Sequence, residues 1–531
     1  MSEIPVPGSV SFEDRAKKRV PFEWGYGCTP RVAKLRDSLY FKASKIEDWG
    51  ALFLSFFDSS ALKDKIGFRK DVRIDVDRAR IITQSYKETE GQPEVIRSAK
   101  AMLKICEELP IFIKPGELIV GDPNSAPDEV RWYPEIGVSW VPDAFTKGGF
   151  AGMVTDEERK EVLDIYEYWK DKALEVHIES VIPPELRGGM GEMFGLPETI
   201  EGGQQESSAS MTVPAYDYDR LFADGIKARI DVAEAKLREL DLISGQINPA
   251  EYLEKKRNWE AMVICGKGIL RFAQRYAELA REQANTEQDE CRKNELEDMA
   301  VILDWVPANS PRTFQEALQF YWLIEVIARY LSVHGFGSGV RIDQVWWPYY
   351  EADMVADRIT REKALELVEC LFIKIQEVGV AACFPPFFVG VAGGEIFYTA
   401  NIGGTTMGTK DACNDLTCIC LEALADIRLN QPPLAMRYHR NINQDVVDRA
   451  IDLGRTGTGH PSWFNEDLIE KWGLLRGYSA EDARNTAPAG CVANYVKGKH
   501  VIQTGLVQAG GFVGPKLLER VLLQGGDLAL G

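Results

Sequence analysis

Long stretches of helical periodicity, separated by a few short β-like runs, are what most restricts how this 531-residue chain can fold. Apolar residues recur at helical spacing over residues 250–284 and 313–332. Strand character is confined to residues 397–402 and to Leu434-Ala-Met-Arg-Tyr-His439, where polar and apolar side chains alternate. Strands this short need helices over their faces to be buried, so the pattern predicts a closed α/β architecture. No internal repeat or low-complexity linker divides the body. Residues 1–60, with Pro5, Pro7 and mixed charges, read as an amino-terminal arm packed on a body of residues 61–531.

Cap residues place several helix starts. Thr155-Asp-Glu-Glu158 has the form of a capping box, in which the threonine hydroxyl and the glutamate carboxylate satisfy free backbone N–H groups. The helix it opens is expected to carry Leu163, Tyr166, Trp169 and Leu174 on one side. Asn443 predicts a helix running to about Leu453, and Ser479 predicts a short one before Cys491. The aromatic stripes of the long helices read as core.

A formal net charge of −19 and a pI near 5.0 argue against nucleic-acid or anionic-membrane partners, which require a basic surface. Residues 1–19 contain no apolar run of signal-peptide length, and the most apolar stretch, residues 320–331, is interrupted by Glu325 and Arg329. A cytoplasmic protein is expected. The ten cysteines form no Cys-x-x-Cys pair, only Cys418-Ile-Cys420, and the five histidines form no His-Glu-x-x-His pattern, so no metal centre is predicted.

The segment Asn485-Thr-Ala-Pro-Ala-Gly-Cys-Val-Ala-Asn-Tyr-Val-Lys-Gly-Lys499 reads as a turn-rich loop, with Pro488 and Gly490 ending the preceding helix and presenting Cys491 on a tip. A free cysteine is more often an inert small hydrophobe than a catalyst. A thiolate nucleophile needs a neighbouring histidine or helix N-terminus to lower its pKa, and neither adjoins Cys491 in sequence. A thiyl radical needs no such relay, only shielding from water and oxygen.

The Cys491 segment resembles the active-site cysteine loop of the glycyl radical enzymes, the family of pyruvate formate-lyase, diol dehydratases, arylacetate decarboxylases and benzylsuccinate synthase. Companion segments stand in family order: Arg78-Ala-Arg-Ile-Ile-Thr-Gln-Ser-Tyr-Lys-Glu-Thr-Glu90, Gly116-Glu-Leu-Ile-Val-Gly121, Pro311-Arg-Thr-Phe-Gln-Glu-Ala-Leu-Gln319, Arg341-Ile-Asp-Gln344, Asn401-Ile-Gly-Gly404, Gln431-Pro-Pro433, Gly459-His-Pro-Ser-Trp-Phe-Asn465 and Glu481-Asp-Ala-Arg-Asn485. The resemblance implies a ten-stranded α/β barrel of the pyruvate formate-lyase type, surrounded by helices and incomplete in this chain. It further implies Cys491 as the catalytic thiyl, a protein glycyl radical installed by a radical S-adenosylmethionine activase, no bound cofactor, and a homodimer. The family's carboxy-terminal Arg-Val-x-Gly-Tyr loop is missing, and Arg476-Gly-Tyr478 lies upstream of the cysteine. The expectation is therefore the amino-terminal part of a longer enzyme, or one piece of a split one.

Departures from the family pattern narrow the expected reaction. Dehydratases carry a proton-transferring glutamate two residues after the cysteine, where this chain has Ala493. Pyruvate formate-lyase has two adjacent cysteines, where this chain has Gly490 before Cys491. Fumarate-adding synthases place an arginine about fifteen residues further on, where Leu506-Val-Gln508 stands. What is left is C–C bond cleavage or formation in a small carboxylic acid, arylacetate-type decarboxylation first, with a fumarate-adding synthase, a dehydratase, or a non-catalytic or split subunit as alternatives. Candidate substrate contacts are Arg437, His500, Lys497 and Lys499 for a carboxylate, and Trp132, Phe384 and Phe387, with Trp140, Trp463 and Phe388, for an aromatic pocket. His439 and His460 read as structural, and Gly335-Phe-Gly-Ser-Gly339 as a turn in the barrel wall.

Overall fold

A computed structural model describes residues 28–39, 73–127, 129–138, 141–146, 154–181, 215–331, 339–378, 398–408, 410–429, 431–489 and 493–499. Helix α1 (Pro30–Ser38) is capped by Thr29, whose Oγ1 accepts a hydrogen bond from Val32 N. The helix is fastened to the body: Thr29 Oγ1 donates to Glu366 at 2.9 Å, and Arg31 pairs with Glu295. Strand β1 (Arg73–Asp75) runs parallel to β2 (Glu129–Arg131), with α2 (Asp77–Glu88) and α3 (Glu94–Glu108) between them.

Helices α4 (Val141–Thr146), α5 (Asp156–Trp169) and α6 (Leu174–Val181) follow. The Thr155 capping box is present with both hydrogen bonds. Val162, Ile165 and Trp169 form the buried stripe of α5, which stops at Trp169. Leu174 is not on that face; it opens the next helix and is exposed.

A helical layer follows, made of α7 (Tyr218–Leu242), α8 (Pro249–Thr286) and α9 (Glu290–Trp305). Helix α10 (Phe314–Glu325) runs into a π-helical stretch, Val326–Leu331, and nearly all its side chains are buried. Glu325 and Arg329, which interrupt the apolar run in the sequence, pair with each other inside the core at 2.6 Å.

The remaining elements build the sheet that matters for function. Helices α11 (Ile342–Val345), α12 (Trp347–Val355) and α13 (Arg361–Glu377) precede β3 (Ala400–Gly403). Then come α14 (Asp415–Ile427), β4 (Leu434–Tyr438), α15 (Gln444–Gly454), β5 (Ser462–Asn465), α16 (Glu466–Leu475) and α17 (Ala480–Asn485). Strands β3, β4 and β5 are parallel and in sequence order, each linked to the next by a helix, and a parallel bridge from Arg341 to Asn401 extends the sheet on the β3 side. All of β3 is buried, as are Leu434 to Arg437 of β4. Both faces of β4 up to Arg437 are withdrawn from water, so the alternation read in residues 434–439 is not a core face and a solvent face. Asn443 and Ser479 cap α15 and α17 as predicted.

Candidate active site

The segment expected to be a turn-rich loop is a β-hairpin. Strands β6 (Thr486–Ala489) and β7 (Ala493–Val496) are antiparallel, pairing Thr486 with Val496, Ala487 with Tyr495, Pro488 with Asn494 and Ala489 with Ala493. Helix α17 ends at Asn485, before Pro488, which sits within β6 and is not the helix stop. A two-stranded ribbon leaves outer N–H positions unpaired, and a proline is tolerated there. Cys491 lies outside the described residues, in the span between the paired Ala489 and Ala493.

One hydrogen bond ties the hairpin directly to the sheet, and two further contacts hold its surroundings. Asn401 Nδ2 donates to Pro488 O at 2.7 Å. Arg437 Nη2 donates to Arg484 O at 3.1 Å, just ahead of β6. Gly339, at φ +56°, lies so close that a Cβ there would stand 3.1 Å from Ala489 Cβ. At the other end Gly498 N donates to Ala215 O at 2.7 Å, and Lys497 and Lys499 pair with Asp219 and Asp482. These two lysines, considered above for carboxylate binding, hold the hairpin's outer end.

A buried charge cluster lies behind the hairpin. Arg437 Nε donates to Glu466 Oε2 at 2.7 Å, and Glu466 Oε1 accepts from Thr405 N and Oγ1 at 3.1 and 3.0 Å. Arg341 donates to the carbonyls of Thr405 and Gly403 at 3.0 and 2.6 Å. Asp343 accepts from Gly403 N at 2.8 Å and Thr417 Oγ1 at 2.6 Å. Burial, reinforced by the neighbouring Arg437 charge, lowers Arg341 to about 10. Burial alone raises Glu466, but Arg437 and Arg341 outweigh it and hold the carboxyl below its usual range. Gly404, at φ +84°, makes room for that carboxylate, which a Cβ would approach at 3.1 Å.

The cluster leaves several polar atoms open. Among the described residues, Arg437 Nη1, Arg341 Nε, Asn401 Oδ1, Asp343 Oδ1 and Asn494 Oδ1 are buried with no hydrogen-bond partner. The register pairs Asn401 with Ala435 and Gly403 with Arg437, which puts Asn401 and Arg437 on the same face of the sheet, the face that touches the hairpin.

Of the other candidates, Trp132 is fully buried, its ring 6.2 Å from that of Phe145 and its carbonyl accepting from Arg78. Trp463 on β5 is half exposed beside Tyr438, 6.1 Å between ring centres. Trp140, Phe384, Phe387, Phe388, His500 and residues 335–338 lie outside the described residues. His439 contacts Asp411 at 3.2 Å, and His460 is buried. The structure thus joins Arg437 to the helix that leads into the cysteine hairpin, and adds Asn401, Glu466 and Asn494, to which sequence reasoning gave no role. Among the described residues there is no group of three or more His, Cys, Asp or Glu side chains placed to hold a metal ion, and no helix long and apolar enough to cross a membrane.

A parallel sheet linked by helices, with the two strands that flank the Cys491 segment held on one face, is an α/β enzyme scaffold. A family profile described as pyruvate formate lyase-like matches residues 55–531, and the chain belongs to that family of glycyl radical enzymes. It is 32% identical to the isethionate sulfite-lyase of Oleidesulfovibrio alaskensis over 80% of this chain and 51% of that one. It is 31% identical to the (2S)-3-sulfopropanediol dehydratase of Klebsiella oxytoca over 86% of this chain and 55% of that one. A more distant relative, at 25% identity over 80% of this chain and 51% of its own, is the indoleacetate decarboxylase of Tractidigestivibacter scatoligenes. The solved B12-independent glycerol dehydratase from Clostridium butyricum superposes with a TM-score of 0.72 at 26% identity, over 89% of this chain and 55% of that one. The fold is therefore the pyruvate formate-lyase-type barrel. The chain spans about half the length of the curated relatives it matches.

Proposed function

We propose that the complete protein is a glycyl radical lyase acting on a small organic acid, with Cys491 as hydrogen-atom abstractor and Arg437 as the contact for the acid's anionic group. The observation that carries the anionic substrate is Arg437 Nη1, a buried guanidinium N–H with no partner among the described residues, on a side chain that also holds the last turn of α17, the helix leading into the hairpin. A guanidinium whose other nitrogens are fixed by Glu466 and Arg484 O presents that N–H in a set direction, which suits a carboxylate or sulfonate oxygen.

The glycyl radical, installed by a radical S-adenosylmethionine activase, supplies the one-electron oxidation of the Cys491 thiol. The thiyl sulfur then takes a hydrogen atom from the substrate and becomes a thiol again. In the decarboxylation reading the bound carboxylate takes a proton from water, the carboxyl O–H so formed gives its hydrogen atom to sulfur, the carboxyl radical releases carbon dioxide as its C–C bond breaks, and the carbon radical left behind takes the hydrogen atom back from sulfur. Hydrogen-atom loss and return require no base on the cysteine strand, which fits Ala493. That residue favours C–C cleavage by loss of the carboxyl group, arylacetate-type, over dehydration, with Trp132, Phe384, Phe387 and His500 as further substrate contacts. The activities named for the relatives favour a second reading, elimination of water or sulfite, with its proton carried by a group elsewhere in the site. An anaerobic assay of the activated, complete protein decides between them. Carbon dioxide from arylacetates or short alkyl acids supports the first reading, and aldehyde or sulfite from diols or hydroxysulfonates replaces it with the second.

A further inference from the structure

Asn401 is fully buried, and its side-chain amide has two different ends to satisfy. One end is settled by chemistry: Pro488 O only accepts hydrogen bonds, so the atom facing it at 2.7 Å is the amide nitrogen. The oxygen must then face away, and it is buried without a partner among the described residues. The backbone of Asn401 is already committed, with its N–H donating to Val340 O at 3.0 Å and its strand paired with β4. A buried acceptor left open among the described residues is satisfied by a water or by a bound ligand. Arg437 Nη1, the open donor, lies on the same sheet face two register pairs further along. Asn494 Oδ1, a second open acceptor, belongs to the residue paired with Pro488 on the hairpin.

We propose that Asn401 is a specificity-determining residue that links substrate recognition to the cysteine hairpin: Nδ2 seats the hairpin through Pro488 O, and Oδ1 accepts a hydrogen bond from a hydroxyl or ammonium group of the bound acid. The substrate class is then a short acid that carries an N–H or O–H donor a few atoms from its anionic group, with the anion on Arg437 and the donor on Asn401, which selects the hydroxy acids of the elimination reading and, for decarboxylation, an acid bearing such a donor over a plain arylacetate or alkyl acid. An acid lacking that donor leaves Oδ1 unsatisfied when it displaces water from the site. The proposal rests on the anion contact at Arg437, and its test separates the two.

The test is calorimetric titration of the complete, unactivated protein with propionate, 3-hydroxypropionate and 3-aminopropionate, so that no turnover intervenes. The expected result is binding of one donor-bearing acid about tenfold tighter than propionate, the hydroxyl or the ammonium form being identified by which of the two gains. In Asn401→Leu, whose folding is checked by circular dichroism, that advantage disappears while propionate binding is retained. Equal affinity for all three acids in the unaltered protein overturns the role of Asn401 and leaves the Arg437 contact standing, as does an advantage that survives in Asn401→Leu. Absence of binding by every acid overturns both. The comparison of ligands on the unaltered protein holds even if Asn401→Leu fails to fold.

Discussion

Arg437 Nε and Glu466 Oε2 meet at 2.7 Å with both side chains withdrawn from water, joining the end of β4 to the first turn of α16. Taking away one member of a buried pair strands the other charge, which costs about 3–5 kcal/mol. Glu466→Gln is therefore expected to lower the thermal midpoint by several degrees, read by circular dichroism or calorimetry. The pH dependence has a definite sign. Glu466 is held below its usual value, so its contribution is complete above the unfolded carboxyl's 4.5 and drains away as the pH falls through the lowered value. The gap between the two proteins should narrow on acidification below about pH 4.5.

Glu369 and Asp426 give the opposite sign. They hydrogen-bond to each other between α13 and α14, where burial first and then neighbouring acidic groups push Glu369 up to about 9 and Asp426 to about 7. The folded protein keeps protons that the unfolded chain releases near 4.5, so each rise in pH from there towards 9 removes stability. The neutral isostere in Glu369→Gln escapes that penalty. Its melting temperature should exceed the parent's by several degrees at pH 8, and the advantage should vanish near pH 4.5. A difference independent of pH counts against the shared proton.

Gly225 breaks the backbone of α7 at φ +73°, letting Ile226 N and Lys227 N donate to Pro307 O and Ala308 O at 2.9 and 3.1 Å. An added Cβ would stand 2.4 Å from Ala308 O, inside any permitted contact. Gly225→Ala combines a left-handed φ with a backbone collision, and a destabilisation of about 3 kcal/mol or more follows. Poor soluble yield or a midpoint lowered by several degrees is the measured result, and an unchanged midpoint refutes the kink.

Which of these features could be read from the sequence follows from the distance over which each is determined. The caps at Thr155, Asn443 and Ser479 act within three residues, and their helices start where expected. The end of α5 at Trp169 was missed, because Leu174 continues the apolar periodicity after the chain has turned. Thr486-Ala-Pro-Ala489 has weak strand propensity and a proline, so nothing local marks it as β; its partner strand and the grip of Asn401, 87 residues away, make it so. Arg437 was identifiable as a cation in a strand, but its partner Glu466 lies 29 residues on, at the start of the helix after the next strand, and no spacing rule joins them. The open ends of Asn401 and Arg437 are properties of register alone.

Cys491→Ala removes the atom proposed to carry the radical and replaces a thiol by a methyl group, a small change in volume. In the complete, activated protein it should abolish turnover while leaving the circular dichroism spectrum and thermal midpoint close to those of the parent. The cysteine pool offers an internal control: Cys106 and Cys420 are fully buried, and burial raises both thiols far above the ordinary range. Cys106→Ala should reduce stability without abolishing turnover. Activity surviving in Cys491→Ala would assign the chemistry elsewhere.

The last expectation separates binding from chemistry at Arg437. Lysine keeps the positive charge beside Glu466 but has a single nitrogen, and cannot hold Glu466, reach Arg484 O and offer a third N–H at once. If Nη1 holds the substrate's anionic group in ground and transition states alike, Arg437→Lys raises KM and leaves kcat within a few-fold, because uniform binding is what is lost. One charge-assisted hydrogen bond corresponds to about 1.5–3 kcal/mol, or about a ten- to hundredfold rise in KM. A merely structural arginine gives a different pattern, with kcat falling as the hairpin loosens and KM steady. Initial-rate kinetics across substrate concentration, with the thermal midpoint as a check on folding, distinguish the two, and an unchanged KM removes Arg437 from the binding site.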